Sequence, residues 1–365
     1  MIERVTRATA LSLFAGVAGT LGSAHAAHSY LAQPLPATRT AGQLSRPAQQ
    51  AVAAMVLLDH EFLDPRNNLY VVTGGQAEPE AALWPTSQAL AAAIAVARIT
   101  HAPVDLARVR RIITALKAYR SPTGGYHARV VRSLRYYDDN NWIALDLLDA
   151  AQLLNDSSLL APVTRIFAFL VSGWDAKQGG GIFWADGHPD RPTVSTAPAI
   201  TIGLRLAAIT HNPYYRNWAA RFYAWMNAVM RAPNGLYYDH IDGTTGKMDK
   251  DFVSYNQGVM IQANVAYAAL TGQSSYLRDA AAIARAAAHA FPGPWRDTGN
   301  YAAFDAIYFQ SLRLLDDALP GAADLAPVRA YVNWAWPVAS RPRTVLSEDA
   351  MLEQAGFVLS AAAVS

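Results

Sequence analysis

Tyr136-Tyr137-Asp138-Asp139-Asn140-Asn141-Trp142-Ile143-Ala144-Leu145 is the stretch on which the reading of this chain turns. A long polar segment ends here and an apolar run begins. Beyond the two acids, Trp142, Leu145, Asp146, Asp149, Ala150 and Leu153 recur at three- and four-residue spacing, the period of an α-helix. Asp138 and Asp139 are therefore expected at or near a helix N-terminus, where backbone N–H groups and the helix dipole favour negative charge. Two neighbouring carboxylates oppose that, because ionising one raises the pKa of the other. One ionised acid beside one protonated acid is the pairing that cleaves a glycosidic bond with retention. An Asp at a helix start also serves as an N-cap, and the stretch by itself favours that plainer role. The rest of the chain shifts the balance.

Outward from this stretch the chain reads as helix after helix. Apolar periodicity predicts helices over 43–63, 85–99, 104–119, 139–154, 159–172, 194–209, 213–230, 254–270, 275–291, 302–315, 324–336 and 347–361, roughly twelve in all. The connections alternate in length. Short ones fall at 100–103, 155–158, 210–213, 271–274 and near Pro320-Gly321; three of these repeat the form Ile/Leu-Thr-His/Gly, then a polar cap. Long ones fall at 64–84, 120–137, 174–193, 232–253, 292–301 and 337–346, and are rich in Gly, Trp, Tyr and Asp. In a ring of antiparallel helical hairpins, every second connection lies on the same face. The expected fold is therefore all-α, an (α/α)6 toroid of six hairpins, with its cleft on the long-loop face, where functional residues gather. An α-solenoid also alternates, but does not collect Trp and Gly on one set of loops. Helices 139–154, 194–209 and 254–270 each follow a long loop and begin with polar residues, so their N-termini are expected to converge there.

Composition narrows the function. Apolar residues make up 52% of the chain and charged residues 16%, with mean hydropathy +0.07, which describes a folded chain with a sizeable core. A net charge of +2, with no Lys/Arg block interleaved with aromatics, gives no case for a nucleic-acid partner. Residues 1–26 read as a secretory signal peptide: Arg4 and Arg7, an apolar run over 8–21, and a small-x-small site at Ala24-His25-Ala26. That run is too short and too rich in Gly to span a bilayer comfortably. The expectation is a secreted or periplasmic protein with no stable membrane span, folded as one domain over 27–365. There is no cysteine, which excludes a thiol nucleophile. Neither H-E-x-x-H nor Gly-x-Ser-x-Gly occurs, and nothing requires a metal or a cofactor.

Several acids compete with the central pair. Asp316-Asp317 ends a helix, and Asp59-His60-Glu61 ends the first one; both read as solvated termini. Asp239, Asp242, Asp249 and Asp251 line one long loop, as candidates to bind sugar hydroxyls, with a turn residue the plainer reading of any one of them. On a helical turn Asp138 and Asp139 diverge by about 100°, yet their carboxyl groups can stand about 5–6 Å apart, the spacing of a nucleophile and a proton donor. Trp84, Trp142, Trp174, Phe183, Trp184, Tyr237, Tyr238 and Tyr255 lie on or beside long loops, where sugar C–H faces could stack on them. Core filling is the alternative for each, Trp142 and Phe183 among them. Gly179-Gly180-Gly181 lacks the Lys-Ser/Thr of a P-loop and is expected to permit a close backbone approach. Asp138-Asp139 lacks the third acid of a diphosphate-binding Asp-Asp-x-x-Asp, since position 142 is Trp.

Four blocks together resemble glycoside hydrolase family 76: Asp139-Asn140-Asn141-Trp142-Ile143-Ala144-Leu145 with the acid before it, Trp174-Asp175 followed by Gly179 to Trp184, Asn234-Gly235-Leu236-Tyr237-Tyr238-Asp239, and Ser254-Tyr255-Asn256-Gln257-Gly258. The resemblance implies an (α/α)6 barrel and retaining endo-α-1,6-mannanase chemistry on a polysaccharide or oligosaccharide such as α-mannan. It implies Asp138 as nucleophile and Asp139 as general acid and then base. Asn140, Trp142, Trp184, Tyr255 and Asn256 match positions at or near the family's cleft. Two blocks depart from the family. Thr196, in Arg191-Pro192-Thr193-Val194-Ser195-Thr196, replaces an amide that could contact sugar. In Phe304-Asp305-Ala306-Ile307-Tyr308-Phe309-Gln310 two cations are lost, at Asp305 and Gln310. A transglycosidase and a non-catalytic glycan-binding protein are the alternatives on the same scaffold.

Overall fold

The computed structural model describes residues 37–73, 79–176 and 179–365; the expected signal peptide at 1–26 lies outside them. Among the described residues there are twelve α-helices: α1 (Arg46–Phe62), α2 (Leu83–Thr100), α3 (Pro103–Ala115), α4 (Tyr137–Leu154), α5 (Leu160–Ser172), α6 (Thr193–Thr210), α7 (Pro213–Trp225), α8 (Ser254–Thr271), α9 (Ser275–Ala290), α10 (Gly299–Ala318), α11 (Ala326–Ala339) and α12 (Glu348–Ala363). Each corresponds to one helix expected from periodicity. The chain divides into two compact units. The first takes Tyr136–Pro292 and Ser311–Asp324; the second takes the described residues up to Arg135, Gly293–Gln310 and Leu325–Ser365.

In the first unit, α6 packs between α4 and α8, while α5, α7 and α9 pack against α4, α6 and α8 respectively. Helix α6 is long and apolar enough to cross a membrane by composition, but it is buried in the protein, and its Arg205 pairs with Asp149 of α4 at 2.8 Å. Nearer the start of the same two helices, the Asn141 amide donates to the Ser195 carbonyl at 2.8 Å and to the Val194 carbonyl at 3.4 Å. Early residue meets early residue and late meets late, so α4 and α6 run in the same direction. The Asn141 bond has a cause in the sequence. Pro198 lies inside α6 and has no N–H to give the carbonyl four residues back, which is that of Val194. Asn141 supplies a donor to the carbonyl that the proline abandons.

The short turns explain their own repetition. α2, α4, α6 and α8 all end on a left-handed residue, His101, Asn155, His211 and Gly272. The threonine before three of them accepts the N–H two residues on: Thr100 from Ala102, Thr210 from Asn212, Thr271 from Gln273. Thr-His/Gly-polar is thus one stop-and-restart device used three times.

In the second unit, α12 packs against α1, α2 and α11. Gln354, fully buried in α12, donates to the Ala54 and Ala339 carbonyls. Glu348 accepts from Arg129 and from the Ala82 backbone N–H, which fixes the start of α2. Asp59 corrects the sequence reading. It does not solvate a helix end; it accepts from Arg108 at 2.7 Å, Arg111 at 2.8 Å and the Tyr70 hydroxyl at 2.8 Å.

Candidate active site

The site is built where α4, α6 and α8 begin. None of the three has a side-chain cap. Their N-cap residues are Tyr136, Pro192 and Val253, which carry no oxygen suited to the task. The plain reading of Asp138 as an N-cap therefore fails: Tyr136 holds that position, and both acids lie inside the first turn. Buried polar atoms cluster at the same level. Asn141 Oδ1, Ser195 Oγ and Asn256 Oδ1, one near the start of each helix, have no hydrogen-bond partner among the described residues. Such atoms also occur elsewhere among the described residues, at Gln50, Gln88 and Thr201 for example; at these helix starts they are places where a water belongs.

The loop 232–253 ties two of these helix starts together. The Thr193 N–H donates to the Asp239 carbonyl, its hydroxyl to the Tyr238 carbonyl, and the Asn256 amide to the Asp239 carboxylate at 2.9 Å. Part of that loop pairs with the strand before α6 in a three-stranded antiparallel sheet, β1 (Arg191–Pro192), β2 (His240–Ile241) and β3 (Met248–Asp249). Asp239 also holds His240 Nδ1 at 3.0 Å. Asp242 keeps to a turn; the Thr245 and Thr244 N–H groups hold its carboxyl below the usual carboxylate range.

Asp138 is half-buried. One carboxylate oxygen accepts the Asp139 backbone N–H at 3.0 Å, and the other accepts the indole N–H of Trp184 at 3.3 Å. Burial pushes its carboxyl up to about 6, while those two donors pull it back. Trp184 is 38% exposed and is held on both sides. Its ring lies 5.1 Å from that of Tyr136 and 5.8 Å from that of His188, and its carbonyl accepts the Tyr137 N–H. The glycine run behind Trp184 serves packing. A Cβ at Gly180 would fall 2.5 Å from the Trp174 ring, and one at Gly181 2.6 Å from Trp225, with φ near +111° and +101°.

The structure brings Asp138, Asp139 and Trp184 together and sorts the other expected residues. Asn140 is fully buried and donates to the Tyr136 carbonyl at 2.7 Å. Trp142 is buried. Tyr255 is half-buried in the first turn of α8, the place that Asp138 has in α4. Asn256 is buried beside it, with one oxygen unclaimed. Thr196 is fully buried, and its hydroxyl accepts the Ile182 N–H at 2.9 Å. Tyr237 is also in the core, its hydroxyl donating to Asn227 at 2.8 Å. Thr196 and Tyr237 thus hold the scaffold in place. Tyr136, His188 and the Asn141 strut were not singled out from the sequence, although the Tyr136-Tyr137 doublet preceding the acids was a signal for the first.

The chain matches the family model described as glycosyl hydrolase family 76 over residues 51–326. It is 33% identical over 129 residues to mannan endo-1,6-alpha-mannosidase DCW1 of Saccharomyces cerevisiae, a match that takes in 32% of this chain and 29% of that protein. The chain thus spans under a third of that curated relative's length. Its structure resembles the glycoside hydrolase family 76 mannosidase Bt3792 from Bacteroides thetaiotaomicron with a TM-score of 0.77 at 20% identity, over 88% of this chain and 98% of that one. It also resembles an inactive variant of the α-1,6-mannanase GH76A of Salegentibacter sp., with two consecutive aspartates changed to asparagine, in complex with α-1,6-mannotriose. That match has a TM-score of 0.72 at 18% identity, over 87% of this chain and 99% of the other. These likenesses establish the fold as the expected all-α (α/α)6 toroid.

Proposed function

Because the chain belongs to glycosyl hydrolase family 76, we propose that it is a retaining endo-α-1,6-mannanase, with Asp138 as nucleophile and Asp139 as acid and base. The observation that carries this reading is the acid pair in an uncapped helix turn, with the Trp184 N–H on Asp138. In the first step an Asp138 oxygen forms a bond to the anomeric carbon, while Asp139 gives its proton to the departing glycosidic oxygen. A mannosyl ester on Asp138 results. In the second step Asp139, now ionised, takes a proton from water; that oxygen attacks the anomeric carbon and Asp138 leaves as carboxylate. The two N–H donors on Asp138 favour its ionised form, which both attack and departure require.

Trp184 offers an exposed ring beside the reacting carboxylate, and Tyr255 and Asn256 lie at the start of α8, which packs on the other side of α6. Trp184 and Tyr255 are therefore assigned to sugar stacking, and Asn256 to hydroxyl contact. We assign residues 27–365 to one secreted catalytic domain left after a leader ending at Ala26 is removed; N-terminal sequencing of the exported protein tests that boundary.

The deciding experiment follows cleavage of linear α-1,6-mannan by NMR, with anomer detection. The expected first product is the α-anomer. Asp139→Asn should lower turnover about 10²–10⁴-fold, and Asp138→Asn at least as much. Near wild-type turnover in both variants, or a β-anomer formed first, refutes the reading. Product analysis at high acceptor concentration separates hydrolysis from sugar transfer.

A further inference from the structure

Outside the acid pair, the second unit contains a cavity of about 440 Å³ lined by Asn300, Tyr301, Arg343, Ser347, Asp349 and Glu353, among others. This is within the size range of small-ligand sites. It forms where α10 and α12 begin, and one glycine shapes it. Gly299 has φ near +57°, and a Cβ there would stand 3.2 Å from Asp349 Cβ.

The lining has a distinct chemistry. Tyr301 is 63% exposed, with its ring set edge-on to Phe304 at 5.6 Å, which leaves a broad aromatic surface open to solvent. Asn300 is oriented by the Trp84 indole, which donates to its carbonyl oxygen at 2.8 Å. The amide NH2 of Asn300 therefore remains as its donor end. Arg343 is fixed through Glu353 at 3.1 Å and Gln354 at 3.1 Å, yet its Nε–H is buried with no acceptor among the described residues. That N–H is sealed from solvent, so Arg343 forms part of the cavity wall and is not a contact for an entering ligand. The exposed Asp349 carboxylate has no hydrogen bond or ion pair among the described residues. One arginine against two carboxylates disfavours an anion. An aromatic face, the Asn300 amide as donor and a free carboxylate acceptor suit a neutral polyhydroxylated ring.

We propose that this cavity is a glycan-binding site, taking a single pyranose unit stacked on Tyr301 with its hydroxyls on Asp349 and Asn300. The choice of mannose as that unit rests on the function proposed above; the site itself does not. It would hold one sugar of a polysaccharide through residues of the second unit alone.

The test uses the full chain carrying Asp138→Asn and Asp139→Asn, with ¹³C-methyl valine labelling. Val345 borders the cavity and is 59% exposed; its methyl signals are identified by their loss in Val345→Ala. α-1,6-Mannotriose is titrated first, then isomaltotriose, then spermidine. The expected result is that the Val345 signals move with mannotriose, and that Tyr301→Ala or Asp349→Asn weakens the titration about tenfold or abolishes it. Tyr301 is exposed and the Asp349 change is isosteric, so both variants should keep the wild-type spectrum elsewhere. Val345 signals unmoved by either sugar, or moved by spermidine alone, overturn the site, even where wild-type chain cuts mannan. Val345 signals that move with isomaltotriose while wild-type chain leaves mannan intact support the site and remove the mannanase reading instead.

Discussion

Replacing Asp138 with Asn should stabilise the protein at neutral pH and leave it nearly unchanged in acid. Burial raises the folded carboxyl from 3.8 to about 6, so between those values the folded state binds the proton more tightly than the unfolded chain. Wild-type stability from this group therefore falls as pH rises through that window. A shift of about two units corresponds to about 3 kcal/mol. The asparagine variant has no such loss, because it is uncharged at every pH. Its amide oxygen can accept from the Asp139 N–H or the Trp184 N–H, not both, which returns about 1 kcal/mol. The net gain at pH 7 is about 2 kcal/mol, or on the order of 4 °C in melting temperature. Near pH 4 the gain vanishes or reverses slightly. The assay is calorimetric or fluorescence melting of both proteins at half-unit steps from pH 4 to 8. The diagnostic quantity is the difference between the two curves, which should grow by about 3 kcal/mol across the window. A difference that is flat with pH, or a variant less stable at pH 7 than at pH 4 relative to wild type, would falsify the claim that Asp138 ionises at a cost to the fold.

The same titration governs rate. With Asp138 as nucleophile, kcat/KM should fall as pH drops through about 6; a fall as pH rises through that value would make Asp138 the proton donor and exchange the two roles. Trp184→Phe keeps a ring but removes the N–H that favours the ionised carboxylate, so this acid limb should move to higher pH, read from the kcat/KM profile. Asn141→Ala strips the Val194 carbonyl of the donor that Pro198 cannot provide, and should cost about 1–3 kcal/mol in urea unfolding. Gly181→Ala sets a Cβ against Trp225 at positive φ; a loss of about 2 kcal/mol or more is expected from thermal melting, with Trp184 displaced and turnover reduced.

Helices such as α5, α7 and α9 were legible because each buries a stripe at the period of an α-helix, α6 because its long apolar run is buried on nearly every side, and the short turns because Thr-His and Thr-Gly carry their own stop signal. The acid pair was legible as a pair because two adjacent carboxylates at a helix start oppose each other's ionisation. What the sequence concealed depends on partners far apart along the chain. Nothing near Asn141 announces that its amide will meet a carbonyl left bare by Pro198. Strands of two residues at Arg191–Pro192, His240–Ile241 and Met248–Asp249 are too short to carry an alternating pattern. Thr196 and Tyr237 looked like cleft residues because they lie in motif blocks, but a position in a block does not tell which way a side chain faces. Asp59 looked like a solvated helix end, because Arg108, Arg111 and Tyr70 gather around it only in the fold.

Helix starts without a side-chain cap are common among the described residues, at α2, α3, α5, α9 and α11 as well as at the site; what sets the site apart is that three such starts lie together. Every helix start leaves N–H groups unsatisfied. At α1, α7 and α12 the protein closes them with Ser45, Asn212 and Ser347, which fixes the helix ends. At α4, α6 and α8 it places Tyr136, Pro192 and Val253 instead, forgoing about 1 kcal/mol per cap. The three open ends belong to parallel neighbours in one unit, joined by Asn141, Thr193 and Asn256, so their dipoles reinforce one another where the proposed nucleophile, Asp138, would be ionised. A cap introduced there is therefore informative. Val253→Ser should raise the melting temperature by a degree or two and lower kcat/KM, because backbone donors facing the cleft would then be occupied. A gain in stability with activity untouched would mean that these open ends are incidental to the chemistry.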